Sequence, residues 1–266
     1  MSSLTVWIDG IGLLGPGLAS WASALETLRG TQPLVPAATV LPAPARLPPA
    51  ERRRAGAAVK LALAVADEAV AAARTDPSTL ATVFTSSSGE GTNCHALCET
   101  LATPAPMVSP TRFTNSVHNA AAGCWHIAVA SRASSTSLCA FDGSFGAGLI
   151  EAATSVRLSG ATILLVASDS PYPEPLHAVR PLPDHFGLAL LLSAVPGPHS
   201  LAALTIEIVG PDEAATPCAD AALDALRRVI PAAAALPLLT ALARPRPAGS
   251  VVIEGSLTTR LRLTLA

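Results

Sequence analysis

The stretch "STSLCAFDGSFGAG" (residues 135–148) decides the fold. A short β-prone run ends at Cys139, and a glycine-dotted, amphipathic segment follows at once. Taken as strand and then helix, the layout sets a thiol at a helix N-terminus. Free N–H groups and the helix dipole there lower a thiol pKa and favour thiolate. Gly143, Gly146 and Gly148 allow that helix to sit close to other backbone. Two readings of Cys139 stand side by side. One is a covalent acyl acceptor; the other is a cysteine packed at a sheet–helix junction.

The flanking segments alternate between strand and helix patterns. Upstream, residues 4–10 ("LTVWIDG") read as a buried strand and residues 18–30 as a helix stopped by Gly30. Residues 31–49 are proline-rich without a period and read as a surface loop. Residues 49–74 carry apolar positions at helical spacing, Val59, Ala62, Leu63, Val70 and Ala73, and read as one long helix. Residues 80–88 ("LATVFTSSS") read as a second strand and residues 115–132 as a helix crowded with small residues. Residues 134–139 are a third strand, 140–160 a helix ended by Gly160, 162–168 a fourth strand and 185–195 a fifth. Such alternation implies a mainly parallel sheet flanked by helices. The remainder is thinner: a strand at 201–210, helices at 218–229 and 230–244, and strands at 250–255 and 260–266. In the last, Leu261, Leu263 and Leu265 alternate with polar residues.

Other motifs are weaker. "GIGLLG" (10–15) matches the dinucleotide fingerprint, yet no second strand ending in an acid follows about 20 residues on. A tight strand-to-helix turn explains it better. Cys94 and Cys98 lie one helical turn apart with no second pair to complete a zinc site. No metal and no cofactor is expected. His118 and His126 are candidate bases for Cys139, while His118 and Asn119 could instead satisfy backbone groups at a helix start. His177, Asp184 and His185 sit in a proline-rich loop whose spacing names no chemistry.

Composition narrows the function classes. Half of the 266 residues are apolar, enough for a sizeable core. With a net charge of −2, no concentrated basic block and few aromatics, nucleic acid is not an expected partner. Arg52, Arg53 and Arg54 open a helical pattern and read as a solvated face. The N-terminus lacks a signal-peptide pattern, and the apolar runs are too short to span a bilayer. Five cysteines without framework spacing suggest reduced thiols, hence a cytoplasmic protein.

Taken together, the motifs resemble the β-ketoacyl synthases of the thiolase fold. "VWIDGIGLLGPG" is similar to their opening strand and turn, and "HNAAAGCWHIAVASR" to the helix before the active-site strand. "STSLCAFDGSFGAGLIEA" resembles the nucleophile elbow, with Cys139 at the catalytic position, and "ILLVASD" the strand ending in an acid, Asp169. The resemblance implies a layered α/β/α/β/α fold, with a complete first half (residues 1–200) and a shortened second half (201–266) packed against it. It would also imply two second-half histidines, but the last histidine here is His199. Shortness and missing histidines together resemble the chain length factor subunits of aryl polyene (xanthomonadin-type) biosynthesis. "VSPTRFTNSVHNAAAG" and "PYPEPLHAVRPLP" are the stretches most similar to them. The implied function is a non-catalytic subunit that forms a heterodimer with an active ketosynthase and meets acyl carrier protein through that complex. The implied seam covers residues 110–139, with contacts at Phe113, Asn115, His118, Asn119 and Trp125, and at Phe141 just beyond. Two rivals remain: a Cys139-dependent acyltransferase or thioesterase, and a homodimeric scaffold or carrier-protein-binding module.

Overall fold

The computed structural model describes residues 3–256 and 258–266. Eight strands form one mixed sheet: β1 (Ser3–Leu14), β2 (Ala81–Thr85), β3 (Ser135–Leu138), β4 (Ile163–Asp169), β5 (Phe186–Ser193), β6 (Ala202–Val209), β7 (Gly249–Glu254) and β8 (Arg260–Leu265). Their order across the sheet is β3-β2-β4-β5-β1-β6-β8-β7. Every strand expected from the sequence is present. Their directions differ from the expectation: only β2 with β3 and β2 with β4 run parallel, and the other pairings are antiparallel. The segment between β4 and β5 holds one short helical turn and no crossover helix, so the chain returns antiparallel.

Ten α-helices accompany the sheet among the described residues. They are α1 (Trp21–Leu28), α2 (Pro49–Arg54), α3 (Ala57–Ala73), α4 (Gly91–Leu101), α5 (Pro110–Thr114), α6 (Ala120–Val129), α7 (Ser144–Ser159), α8 (Leu176–Val179), α9 (Ala221–Val229) and α10 (Leu236–Leu242). The long helix expected over residues 49–74 is two helices. Ala55 is extended, and the Glu90 carboxylate accepts from Ala58 N (3.2 Å), capping the new N-terminus of α3. The expected helix over 115–132 shrinks to α6.

Packing explains the fingerprint glycines. β1 runs straight through them to Leu14, so no tight turn lies there. A Cβ on Gly10 would sit 2.3 Å from Ala69 O, and one on Gly12 would sit 1.9 Å from Val65 O. Only glycine lets α3 lie this close on β1. The turn comes later, where Gly15 and Leu18 exchange backbone hydrogen bonds.

The layers follow from which faces are apolar. α3 and α6 cover one face of the first-half strands through Leu61, Val65, Phe84, Trp125 and Leu191. The opposite face packs on α7, whose Phe145, Leu149 and Val156 are fully buried. α7 meets the helical segment 231–242, and α10 in turn packs against β7 and β8. On β6 and β8 the polar residues of the alternation sit on the other side. There Arg262 pairs with Glu207 (3.0 Å) and with Glu213 (2.7 Å). The thiolase-like arrangement is thus present, with a full first half and a slim second half.

Candidate functional site

The site is a strand-to-helix elbow. β3 ends at Leu138, Cys139 and Ala140 follow, and a single 3₁₀ turn (Phe141–Gly143) leads into α7. Phe141 takes the left-handed conformation, φ +53°. That is strained for a bulky residue and persists only where the surroundings enforce it. Ser144 supplies the enforcement. Its buried hydroxyl accepts from Ala140 N (3.0 Å) and donates to Phe141 O (2.7 Å), while its carbonyl accepts from Thr85 Oγ1 (2.8 Å). The glycines act as their pattern suggested: Cβ atoms on Gly143 and Gly146 would lie 2.5 Å and 2.6 Å from Gly255 O and Glu254 O.

Cys139 is exposed just past the end of the sheet's edge strand, not packed in a junction. Its Sγ lies 3.7 Å from His118 Nδ1 and 4.0 Å from Ser86 Oγ. The expected lowering of its pKa by a helix N-terminus is corrected. α7 starts five residues on, and partial burial of the sulfur pushes the thiol above its ordinary value, with the Asp169 carboxylate adding to the rise. Hydrogen bonds from Ser86 oppose that shift.

Of the two candidate bases, the structure brings His118 to Cys139 and takes His126 elsewhere. His126 Nε2 lies 3.1 Å from Thr82 Oγ1. A depression of about 460 Å³ runs past both histidines and Ser137. Asn119 precedes α6 without a side-chain capping bond, so the helix-start reading of that residue does not hold. Phe113, His118, Asn119 and Phe141 are exposed, and Asn115 is half-buried with its amide donating to Arg54 O (3.3 Å). Trp125 is corrected: it is fully buried under α6 against α3 and reaches no outer surface.

Around the elbow, Arg180 and Tyr172 carried no usable signal in the sequence, and Asp169 was marked only by the resemblance. Arg180 stacks its guanidinium on the Phe141 ring, 3.6 Å from the centroid, and forms an ion pair with Asp142. Asp169, at the end of β4, is fully buried. It accepts from Ser87 N (2.7 Å), Ser87 Oγ (2.7 Å) and Ala232 N (2.8 Å), tying β2 and β4 to the helical segment at 231. Tyr172 completes that network at Ser87 Oγ (2.7 Å). Burial raises the Asp169 pKa, against the pull of these hydrogen bonds. His185 and Asp184 bind neighbouring loop groups: Asp184 accepts from Thr39 N (2.9 Å), pinning the two proline-rich loops together.

With this geometry in place, comparison with known proteins is informative. A family model described as β-ketoacyl synthase, N-terminal domain, matches residues 26–236. The chain belongs to this family. Its fold is also similar to that of a chain in the complex of a ketosynthase with its chain length factor from Xenorhabdus doucetiae. The TM-score is 0.74 at 24% identity, over 98% of this chain and 99% of that one. The ishigamide ketosynthase/chain length factor gives a TM-score of 0.71 at 18% identity, over 98% and 99%. A chain in the complex of a type II polyketide synthase acyl carrier protein with its ketosynthase gives 0.71 at 12%, over 99% of this chain and 99% of that one. No curated protein sequence matches the chain.

Within this ketosynthase-family chain, the residue at the strained tip of the elbow is an aromatic ring with no acid–base chemistry. The nearest thiol stands two residues before it. Among the described residues no three His, Cys, Asp or Glu side chains converge as metal ligands, and no helix is long and apolar enough to cross a membrane.

Proposed function

We propose that this chain is the non-catalytic, chain length factor-like partner of a complete β-ketoacyl synthase, in a cytoplasmic heterodimer that builds aryl polyene-type chains. The elbow carries the reading. Phe141 occupies its strained tip, and no histidine follows His199 to stabilise a thioester undergoing decarboxylation. The partner supplies the cysteine and histidines and receives the acyl carrier protein. This chain supplies a seam over residues 110–139, within its first half (residues 1–200), with residues 201–266 backing the elbow. Exposed Phe113, Asn119 and Phe141 lie within or beside that seam, next to the unpaired outer edge of β3.

A second reading rests on the 3.7 Å approach of His118 to Cys139. In it His118 takes the thiol proton and Cys139 accepts an acyl group, making an acyltransferase or thioesterase. Co-purification with a candidate ketosynthase, followed by a malonyl-condensation assay, separates the two. The subunit reading expects Cys139→Ala to leave the rate unchanged and the partner's cysteine change to abolish it. Loss of activity in Cys139→Ala, or acyl groups found on Cys139 in the isolated chain, overturns it.

A further inference from the structure

A cleft of about 710 Å³ opens beside the elbow. Four arginines line it: Arg180, Arg227, Arg228 and Arg260. Three of them are already matched. Arg180 is engaged by Asp142, and Arg227 and Arg228 share Asp224 at 2.7 Å and 3.0 Å. Arg227 also stands 3.9 Å from Glu254. Arg260 is different. Among the described residues no carboxylate lies within ion-pair reach of it. Its Nη1 meets only the carbonyls of Ser256 (3.4 Å) and Thr259 (3.3 Å), and its Nε is buried with no partner. Glu254 is its cross-strand neighbour in the β7–β8 ladder but makes no ion pair with it and faces Arg227 instead. A partly desolvated guanidinium without a contacting counter-charge is costly unless something supplies one.

The rest of the wall indicates what would do so. Phe141, Val179, Val229 and Ile230 give the cleft an apolar side beside the single uncommitted cation. Its floor is rigid, because Gly143 and Gly146 pack directly on the backbone at Glu254 and Gly255. A planar guanidinium fork suits an oxyanion with two acceptor oxygens. We propose that the cleft binds one oxyanion, a carboxylate or a phosphate, carried on an apolar stem, with Arg260 as the anchor. All of its lining residues belong to this chain, and because Phe141 also borders the proposed seam the site is tested on the chain without its partner.

Calorimetric titration of the full chain tests it with four probes: octanoate, mono-octyl phosphate, 1-octanol and acetate. Saturable one-to-one binding is expected for at least one of the two stemmed anions, and the tighter of them distinguishes carboxylate from phosphate. Octanol and acetate should bind at least about tenfold more weakly, since each lacks half of the recognition. Arg260→Gln should weaken the tighter probe by about tenfold or more, with partial recovery in Arg260→Lys. Glu254→Gln removes a competing carboxylate and should tighten binding, which keeps the test decisive if Arg260→Gln fails to fold. The proposal is overturned if neither stemmed anion saturates or if octanol binds as tightly as octanoate. It is equally overturned if Glu254→Gln leaves the affinity unchanged.

Discussion

Two single residues near the elbow make opposite demands on their surroundings. Cys139 is exposed, yet its sulfur sits between Ser86 and His118 and its pKa is raised. A thiol is reactive as thiolate, so a raised pKa means less of it at neutral pH. Cys139 should therefore alkylate with iodoacetamide more slowly than a small free thiol at pH 8, and speed up only at higher pH. Peptide mapping of the labelled chain reads this directly, and fast labelling at pH 7 that His118→Ala abolishes would favour the acyl-accepting reading. Asp169 instead serves folding. Asp169→Ala leaves the buried N–H groups of Ser87 and Ala232 without their acceptor, which costs about 1–3 kcal/mol for each. Asp169→Asn keeps an acceptor and should cost less. Because the folded pKa of Asp169 is raised, protonation favours the folded state at this site. Its contribution is full below the ordinary aspartate value and falls as pH rises through the folded value. Denaturant titrations of the wild-type chain relative to Asp169→Asn should show the wild type losing ground over that window.

Elements were legible in proportion to how local their causes are. The strands declare themselves through apolar runs or strict alternation, as in β4, β5 and β8, and all eight are recovered. What failed depended on distant partners. The break between α2 and α3 rests on Glu90, more than 30 residues along the chain from Ala58. α4 buries no residue, so it leaves no apolar stripe to read. At the site, Cys139, His118 and Phe141 stood out from the sequence, whereas Arg180 did not. Its partners lie 38 residues away at Asp142 and in the ring of Phe141. The glycines of β1 were visible but misassigned, because their cause is the helix lying across them. Gly12→Ala should thus destabilise by about 3 kcal/mol, since its Cβ meets rigid helix backbone at Val65 O. Gly123→Ala in α6 has open space around it and an ordinary φ, so it should be neutral or stabilise by about 0.5–1 kcal/mol. Thermal melts of the two variants should move in opposite directions or differ clearly in size.

At the scale of the whole molecule, the dominant feature is the open edge of the sheet. β3 is a terminal strand, and an unpaired row of backbone N–H and C=O groups invites another chain. Exposed Phe113, Val117 and Ile127 lie on the segments leading to it, Phe113 with 69% of its surface accessible. The alternation along β3 tells which groups are free. Thr82 N bonds to Ser134 O and Ser86 N to Leu138 O, so even-numbered residues of β3 face β2. The N–H of Ser137 therefore points outward. Ser137→Pro deletes that outward donor without removing a bond to β2, and proline is tolerated on edge strands. If the edge pairs with a ketosynthase, Ser137→Pro should weaken or abolish co-purification while the melting temperature of the isolated chain changes little. If size-exclusion chromatography instead finds the wild-type chain as a stable homodimer that Ser137→Pro converts to monomer, the same edge serves a homodimeric scaffold. A variant that keeps full ketosynthase binding would move the seam away from β3 altogether.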